Sequence, residues 1–305
     1  MENFLILGPI THDTIITKDF TCQGIGGPIY YQAAVLGALH LKTTALITLG
    51  KRDKDLLHYF PVGIRVLTIL GEKTIHFENL YPNDDPNHRR QRASIYQNSI
   101  KVSHFSDINL KDFSAIIVSP LSPNDLPFKT IKFLSKLNIP IYMGVQGYLR
   151  HLEGDIVVLK LWNNHESYLG LVDYLFLDEI EARVLIDDKY LSLKKIAKKL
   201  SSLGPKEVII TLGDRGSIIH SRITNTTYRI PAFPTMQKID PTGLGDTYLA
   251  AYASKRQESK DPIKCGIFAS IISSMKLEKK GAFSSNQTQI DQRIYEYKNF
   301  IRKIK

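Results

Sequence analysis

Late in the chain, Asp240-Pro241-Thr242-Gly243-Leu244-Gly245-Asp246 places a rigid turn residue, two glycines and two carboxylates ahead of a small-residue helical pattern, Leu249-Ala250-Ala251-Tyr252-Ala253. A helix starting here leaves the backbone N–H groups of Gly243, Leu244, Gly245 and Asp246 without intrahelical partners, at the positive end of the helix dipole. That is an anion site, and the glycines allow a phosphate to approach the main chain closely. A carboxylate at the same spot repels an anion unless it has a task. The task that fits Asp246 is to take the proton of a hydroxyl that attacks phosphorus. The plainer reading makes Asp246 an ordinary first-turn residue and the glycines a turn. On these residues alone both readings stand.

Competing chemistries find less support. There is no Gly-x-x-x-x-Gly-Lys-Ser/Thr phosphate loop, and Gly24-Ile25-Gly26-Gly27 fails as a dinucleotide fingerprint because Ile29 stands where its last glycine belongs. The nine histidines show no metal-ligand spacing and read as packing or surface residues. The two cysteines, Cys22 and Cys265, have none either, so the chain fits a reducing compartment and is expected in the cytoplasm. Met1 to Gly8 carries Glu2 where a signal peptide needs a basic residue and reads as a first strand.

The elements that must position the loop follow from composition and periodicity. With 305 residues, 43% of them apolar and 23% charged, the chain has enough apolar material for one large domain or two and is not a disordered sequence. Apolar runs at Phe4–Leu7, Thr43–Leu49, Ala115–Val118, Ile139–Met143, Tyr174–Leu177 and Val208–Leu212 have the character of buried parallel strands. Helical patterns at Tyr30–Leu39, Leu126–Leu137, Asp178–Leu185 and Leu191–Leu203 lie between them, which predicts an α/β fold. Three helices are expected at the end: Leu244–Ser254, Pro262–Leu277 and Gln287–Lys305. Asp13–Thr21, Val66–Leu70, Thr74–Tyr81 and Ala93–Tyr96 break the alternation and predict a small projecting sheet that must cover a cleft or pair with another subunit.

The loop and its surroundings resemble the ribokinase-like PfkB family of carbohydrate kinases. Its signature is similar to Asp-x-Thr-Gly-x-Gly-Asp at 240–246; Gly26-Gly27 before a helix, Asp13 after the first strand, and Thr211-Leu212-Gly213-Asp214-Arg215-Gly216 match further motifs in order. The resemblance implies a three-layer α/β/α sandwich over residues 1–305, as a single kinase domain with lid strands from about 13–25 and 66–98. It implies transfer of the ATP γ-phosphoryl group, in preference to ADP as donor, to a hydroxyl of a small polyol (sugar, nucleoside or cyclitol). Asp246 would be the base, and Gly243, Leu244 and Gly245 the anion hole. Asp13, Gly26, Gly27 and Tyr31 would bind the acceptor, and Thr211, Gly213, Gly216 and Thr242 the nucleotide. Asp178 and Glu181 would organise Mg²⁺. Asp240 would shape the loop and, as in some relatives, help hold a monovalent cation such as K⁺. The apolar side of Thr74–Tyr81, either Phe77 and Leu80 or Ile75 and Tyr81, must be covered, and the resemblance implies a homodimer in which a second subunit's lid covers it.

Three positions depart from the family pattern. Tyr31 replaces an asparagine, Asp178 replaces the asparagine of an Asn-x-x-Glu motif, and Gly144 to Arg150 lacks an acidic residue that many sugar kinases carry. Tyr31 and Gly144 count against an ordinary hexose or ribose acceptor, whereas Asp178 is expected to alter Mg²⁺ affinity rather than chemistry; Gly26 to Tyr31 is similar to inositol-kinase-like and archaeal branches. Tyr31 and Asp178 motivate a second reading, a kinase-fold binding or regulatory protein with little turnover. The net charge of +10 raises nucleic acid as a third. Much of that charge, as at Lys194, Lys195, Lys198 and Lys199, falls on the solvated faces of helices, and no basic block is interleaved with aromatics, so no nucleic-acid or membrane partner is expected. Arg89, Arg90 and Arg92 are read as solvent-facing beside a hairpin tip, with contact to an anionic acceptor as the alternative.

Overall fold

The computed structural model describes residues 3–16, 18, 21–80, 90–96 and 98–302. Its centre is a nine-stranded sheet. The first strand, β1 (Asn3–Pro9), is buried along its whole length. Phe4 and Ile6 face one core, and Leu5 and Leu7 the other. A strand apolar on both faces needs cover on both sides, which is why it sits mid-sheet with helices above and below.

On one side of β1 lie β4 (Lys42–Gly50) and β5 (Ile64–Gly71), and on the other β8 (Ala115–Val118), β9 (Ile141–Gly144), β12 (Tyr174–Asp178) and β13 (Glu207–Thr211), all parallel. An antiparallel hairpin, β14 (Ser217–Ser221) and β15 (Thr226–Ile230), closes one edge. The helices α1 (Pro28–Ala38), α7 (Leu244–Glu258), α8 (Pro262–Leu277) and α9 (Gln287–Glu296) contribute to one core. The opposite core takes α2 (Phe128–Leu134), α4 (His165–Leu169), α5 (Glu179–Ile186) and α6 (Leu193–Ser202). The result is the expected three-layer sandwich. The chain builds β4 and β5 on one side of β1 and only later adds β8 on its other side, so the strand order reverses at β1. At such a switch point a crevice opens at the carboxyl ends of the strands, where open α/β sheets take their ligands.

A second, six-stranded sheet stands over that end, in the order β10 (Arg150–Glu153), β11 (Ile156–Leu159), β7 (Arg90–Ser94), β6 (Ile75–Leu80), β2 (Thr11–Ile16) and β3 (Thr21–Gly26). The short helix α3 (Gln146–Leu149) leads into it. Along β6, Ile75, Phe77 and Asn79 are buried while Leu80 is exposed.

Several expectations need correction. Val66–Leu70 belongs to β5, paired with β4 in the large sheet and not in the small one. Its half-buried alternation is that of an edge strand. The hairpin β10–β11 joins the small sheet from a segment that carried no such expectation. Asp13–Thr21 is not one strand: β2 ends at Ile16 and β3 begins at Thr21. The final helix divides at Tyr297 into α9 and α10 (Lys298–Arg302). Tyr81, the tip Asn83-Asp84-Asp85, Arg89, Lys303 and Lys305 lie outside the described residues. Phe77 is buried within its own chain, with Ile75, Ala93 and Leu121, so its apolar face requires no second subunit. Among the described residues no helix is long and apolar enough to cross a membrane.

Candidate active site

Between the two sheets lies a cleft of about 380 Å³, within the usual range for small-molecule sites. Its lining includes Asp13, Gly27, Tyr31, Asp178, Glu181, Thr211, Gly213, Thr242, Gly243, Leu244, Gly245 and Asp246. Positions spread over more than 230 residues of chain thus meet in one place. Gly26 and Gly216 do not line it. Gly26 lies beneath Asp13: a Cβ there would come 2.3 Å from the Asp13 carboxylate, so only a glycine lets that carboxylate lie across β3. Gly216 closes the short turn between β13 and β14 against the Ile230 carbonyl.

The anion loop is built from its ends. Pro241 and Thr242 turn the chain, Gly243 caps α7 with a left-handed φ of 71°, and the helix begins at Leu244. First-turn N–H groups have no partner inside a helix. Here those residues border the cleft, although the Leu244 amide makes a long 3.4 Å contact with the Pro241 carbonyl. Asp246 is half-buried at the head of α7. Burial pushes its carboxyl up to about 7, partly offset by the positive charge of Arg150. A carboxyl poised near neutrality at a helix N-terminus that borders a cleft is suited to accept a proton.

Asp240, six residues away, is in a different state. Its Oδ1 accepts the Thr242 N–H at 2.9 Å, and its Oδ2 accepts the Gly281 N–H at 2.9 Å and approaches Lys276 Nζ at 3.3 Å. Burial works against its charge, but the Lys276 ammonium and these amides hold it below the ordinary carboxylate range. The same Nζ donates to the Asp240 carbonyl at 2.7 Å. The Tyr31 ring lies against Gly243 Cα, with Lys276 Nζ 5.6 Å from its centroid. Burial and the charges of Asp13, Asp240 and Asp246 push the Tyr31 hydroxyl far up, so it stays neutral.

Asp178 and Glu181 cap α5 reciprocally. The Asp178 N–H donates to Glu181 Oε2 at 2.9 Å and the Glu181 N–H to Asp178 Oδ1 at 2.8 Å. Burial raises both, and the adjacent Asp178 charge helps push Glu181 up to about 8. No group of three or more His, Cys, Asp or Glu side chains among the described residues is placed to hold a metal directly. Two cleft-lining carboxylates with one oxygen each engaged in the cap do suit Mg²⁺, which keeps several waters and binds through one or two carboxylates plus phosphates. K⁺ does not fit at Asp240: the Lys276 ammonium already occupies the space between its carbonyl and its carboxylate.

Sequence reasoning missed Arg150 and Gln91. Arg150 opens β10, is buried, lies 5.3 Å from the centre of the Phe77 ring and acts on the charges of Asp178, Glu181 and Asp246. Gln91 lines the cleft from β7 and donates to Asn79 at 2.8 Å. Its neighbour Arg92 is exposed and pairs with Asp155. The alternation of β7 would have placed Gln91 and Arg92 on opposite faces, had the strand's register been known.

Comparison with known proteins gives these observations a context. Residues 141–289 match the pfkB family carbohydrate kinase profile. A ribokinase of Lactococcus lactis subsp. lactis is 34% identical over 296 residues, covering 90% of this chain and 86% of that protein. The chain spans 40% and 39% of the length of two other curated ribokinases that it matches. Among solved structures, a pyrophosphate-dependent kinase in the ribokinase family superposes with a TM-score of 0.82 at 21% identity, covering 95% of this chain and 100% of that one. Arabidopsis thaliana ribokinase, solved with ribose and ATP, gives 0.77 at 19%, covering 96% and 98%. The fold is therefore ribokinase-like, and with a ribokinase matched along nine-tenths of its length this chain belongs to the PfkB family of carbohydrate kinases.

Proposed function

We propose that the protein is a phosphotransferase that moves the γ-phosphoryl group of ATP to a hydroxyl of a small polyol, in the cytoplasm and with Mg²⁺. The observation that carries this reading is Asp246, a carboxyl near neutrality at a helix N-terminus, in one cleft with Asp13. Asp13, oriented by a 2.6 Å hydrogen bond from the Thr11 hydroxyl, accepts from acceptor hydroxyls. Asp246 removes the proton of the attacking hydroxyl as its oxygen bonds to phosphorus and ADP departs. Negative charge gathering on the equatorial phosphoryl oxygens meets the amides of Gly243, Gly245 and Asp246, with a weaker share from Leu244. Losing one such donor typically costs on the order of 100-fold. Thr211, Gly213 and Thr242 form the donor side. Asp178 and Glu181 would hold the waters of Mg²⁺, whose charge would screen the donor phosphates.

The relatives bear on the acceptor and the donor. Ribokinases, nucleoside kinases and a myo-inositol kinase all occur among the similar proteins. The deciding experiment is a screen of sugars, nucleosides and cyclitols with ATP, ADP or pyrophosphate as donor, with and without Mg²⁺, following the phosphorylated product. We expect Mg²⁺-dependent transfer from ATP to at least one polyol. Pyrophosphate outperforming ATP would overturn the donor assignment. Tight binding without transfer to any acceptor would favour the binding-protein reading. A homodimer through the small sheet is part of the proposal, with exposed Leu80, Leu152, Ile156 and Leu159 in place of Phe77 as its apolar surface. A concentration-independent monomer in analytical ultracentrifugation would remove it.

A further inference from the structure

Lys276 is the one feature of this region that a plain kinase reading does not need. It lies in the last turn of α8, with a side chain that is 0% exposed. Lysine is almost never fully buried unless paired, because removing an ammonium from water is expensive. Each of its neighbours meets that demand. The Asp240 carbonyl accepts at 2.7 Å, the Asp240 carboxylate lies at 3.3 Å, the Tyr31 ring faces it, and the C-terminal end of α8 favours positive charge. The Asp240 N–H and the Ile239 N–H donate to the Leu277 carbonyl, and the Gly281 N–H donates to Asp240. One charge therefore sits where the end of α8, the turn at Gly281 and the start of the anion loop are tied together.

We propose that the Lys276 ammonium is a tethered monovalent cation for the anion loop, so that the protein neither needs nor binds K⁺ at Asp240. The proposal rests on the phosphotransferase reading for its purpose, though not for its test. A backbone carbonyl and a carboxylate oxygen facing one point are the ligands that a K⁺ ion would take, since carbonyl oxygens can replace its hydration shell. With Nζ at that point, a second cation would meet like charge at contact distance and find its oxygens already engaged. The ammonium engages the Asp240 carbonyl and carboxylate, and Asp240 does not line the cleft, whereas Pro241 to Asp246, where an anion must be received, do. Lys276 is thus a positioning residue, acting through Asp240 and never touching the donor. A covalent tether also makes loop geometry independent of the salt around the protein.

The test compares KCl with choline chloride at matched ionic strength, for the native protein and for Lys276→Met. Methionine retains the stem as far as the lysine Cε position and leaves only the ammonium site vacant. Two readouts are followed: thermal unfolding without substrates, and transfer to whichever acceptor supports turnover. The native protein should unfold at the same temperature in both salts and turn over at rates within about twofold. Lys276→Met should unfold earlier in choline, gain stability specifically from K⁺ or ammonium, and recover turnover with the same ions after a loss of about tenfold or more. A K⁺-specific rise in unfolding temperature for the native protein would overturn the proposal. So would a Lys276→Met protein that is indifferent to K⁺, or one that remains unfolded in K⁺. Unfolding is measured without substrate, so it decides the role of Lys276 even if every acceptor fails; failure of transfer alone counts only against the kinase reading.

Discussion

The two ends of the anion loop carry the same side chain in opposite states. Asp240 has two amides and an ammonium around it and is held ionised, whereas Asp246, six residues on, is pushed up to about 7 by burial. The first is fixed and the second is poised. In the proposed mechanism, proton transfer needs a backbone that holds still and a carboxyl that can change state, and the loop would assign these needs to different aspartates.

The comparison breaks most visibly at the poised end. Asp246→Asn should lower turnover by about 100-fold or more while donor binding, followed by calorimetry, stays nearly intact. At the fixed end, Asp240→Asn retains the shape but leaves a buried ammonium without its counter-charge. It should cost about 2 kcal/mol of stability in urea denaturation. Unchanged stability would mean that Asp240 pins nothing.

The pH dependence sharpens the contrast. Asp246 binds its proton more tightly in the folded chain than in the unfolded one, so its contribution to stability falls as pH rises from the ordinary carboxylate value toward about 7. Glu181, pushed up to about 8, acts in the same direction. Asp240, held low, contributes stability above the ordinary value and loses it as pH falls through its folded value. Stability profiles of Asp246→Asn should therefore lose part of the decline between about pH 4 and about pH 7 seen in the native protein. The smallest effect is expected at Tyr31→Phe, which retains the ring and should cost less than about 1 kcal/mol. A larger loss in urea denaturation, measured without substrates, would show that the hydroxyl makes a structural hydrogen bond of its own.

What could be read from the sequence follows from how local each signal is. The loop at 240–246 was legible because proline, two glycines and a helix start are neighbours in the chain. The strands of the large sheet were legible because burial on both faces writes a continuous apolar run, as in β1. The β14–β15 hairpin was not, since Ser217 to Ile230 mixes polar and apolar residues around a turn at Asn225. Arg150 and Lys276 were hidden for a different reason. Each matters through partners far away in sequence, Phe77 for one and Asp240 for the other. A lone basic residue at the end of a helix or strand reads as a solvated tip until the fold closes over it.

The contact between Tyr31 and Gly243 also constrains how this sequence can diverge. A Cβ at 243 would come 2.3 Å from the Tyr31 ring, and φ at 243 is already in the left-handed region. Position 31 can hold a large aromatic only while position 243 lacks a side chain. Among related chains, then, the identities of these two residues should not drift independently. Exchanging Tyr31 for the smaller asparagine would open the steric half of that restriction and leave the backbone half in force, so the first step along any such path must be taken at 31.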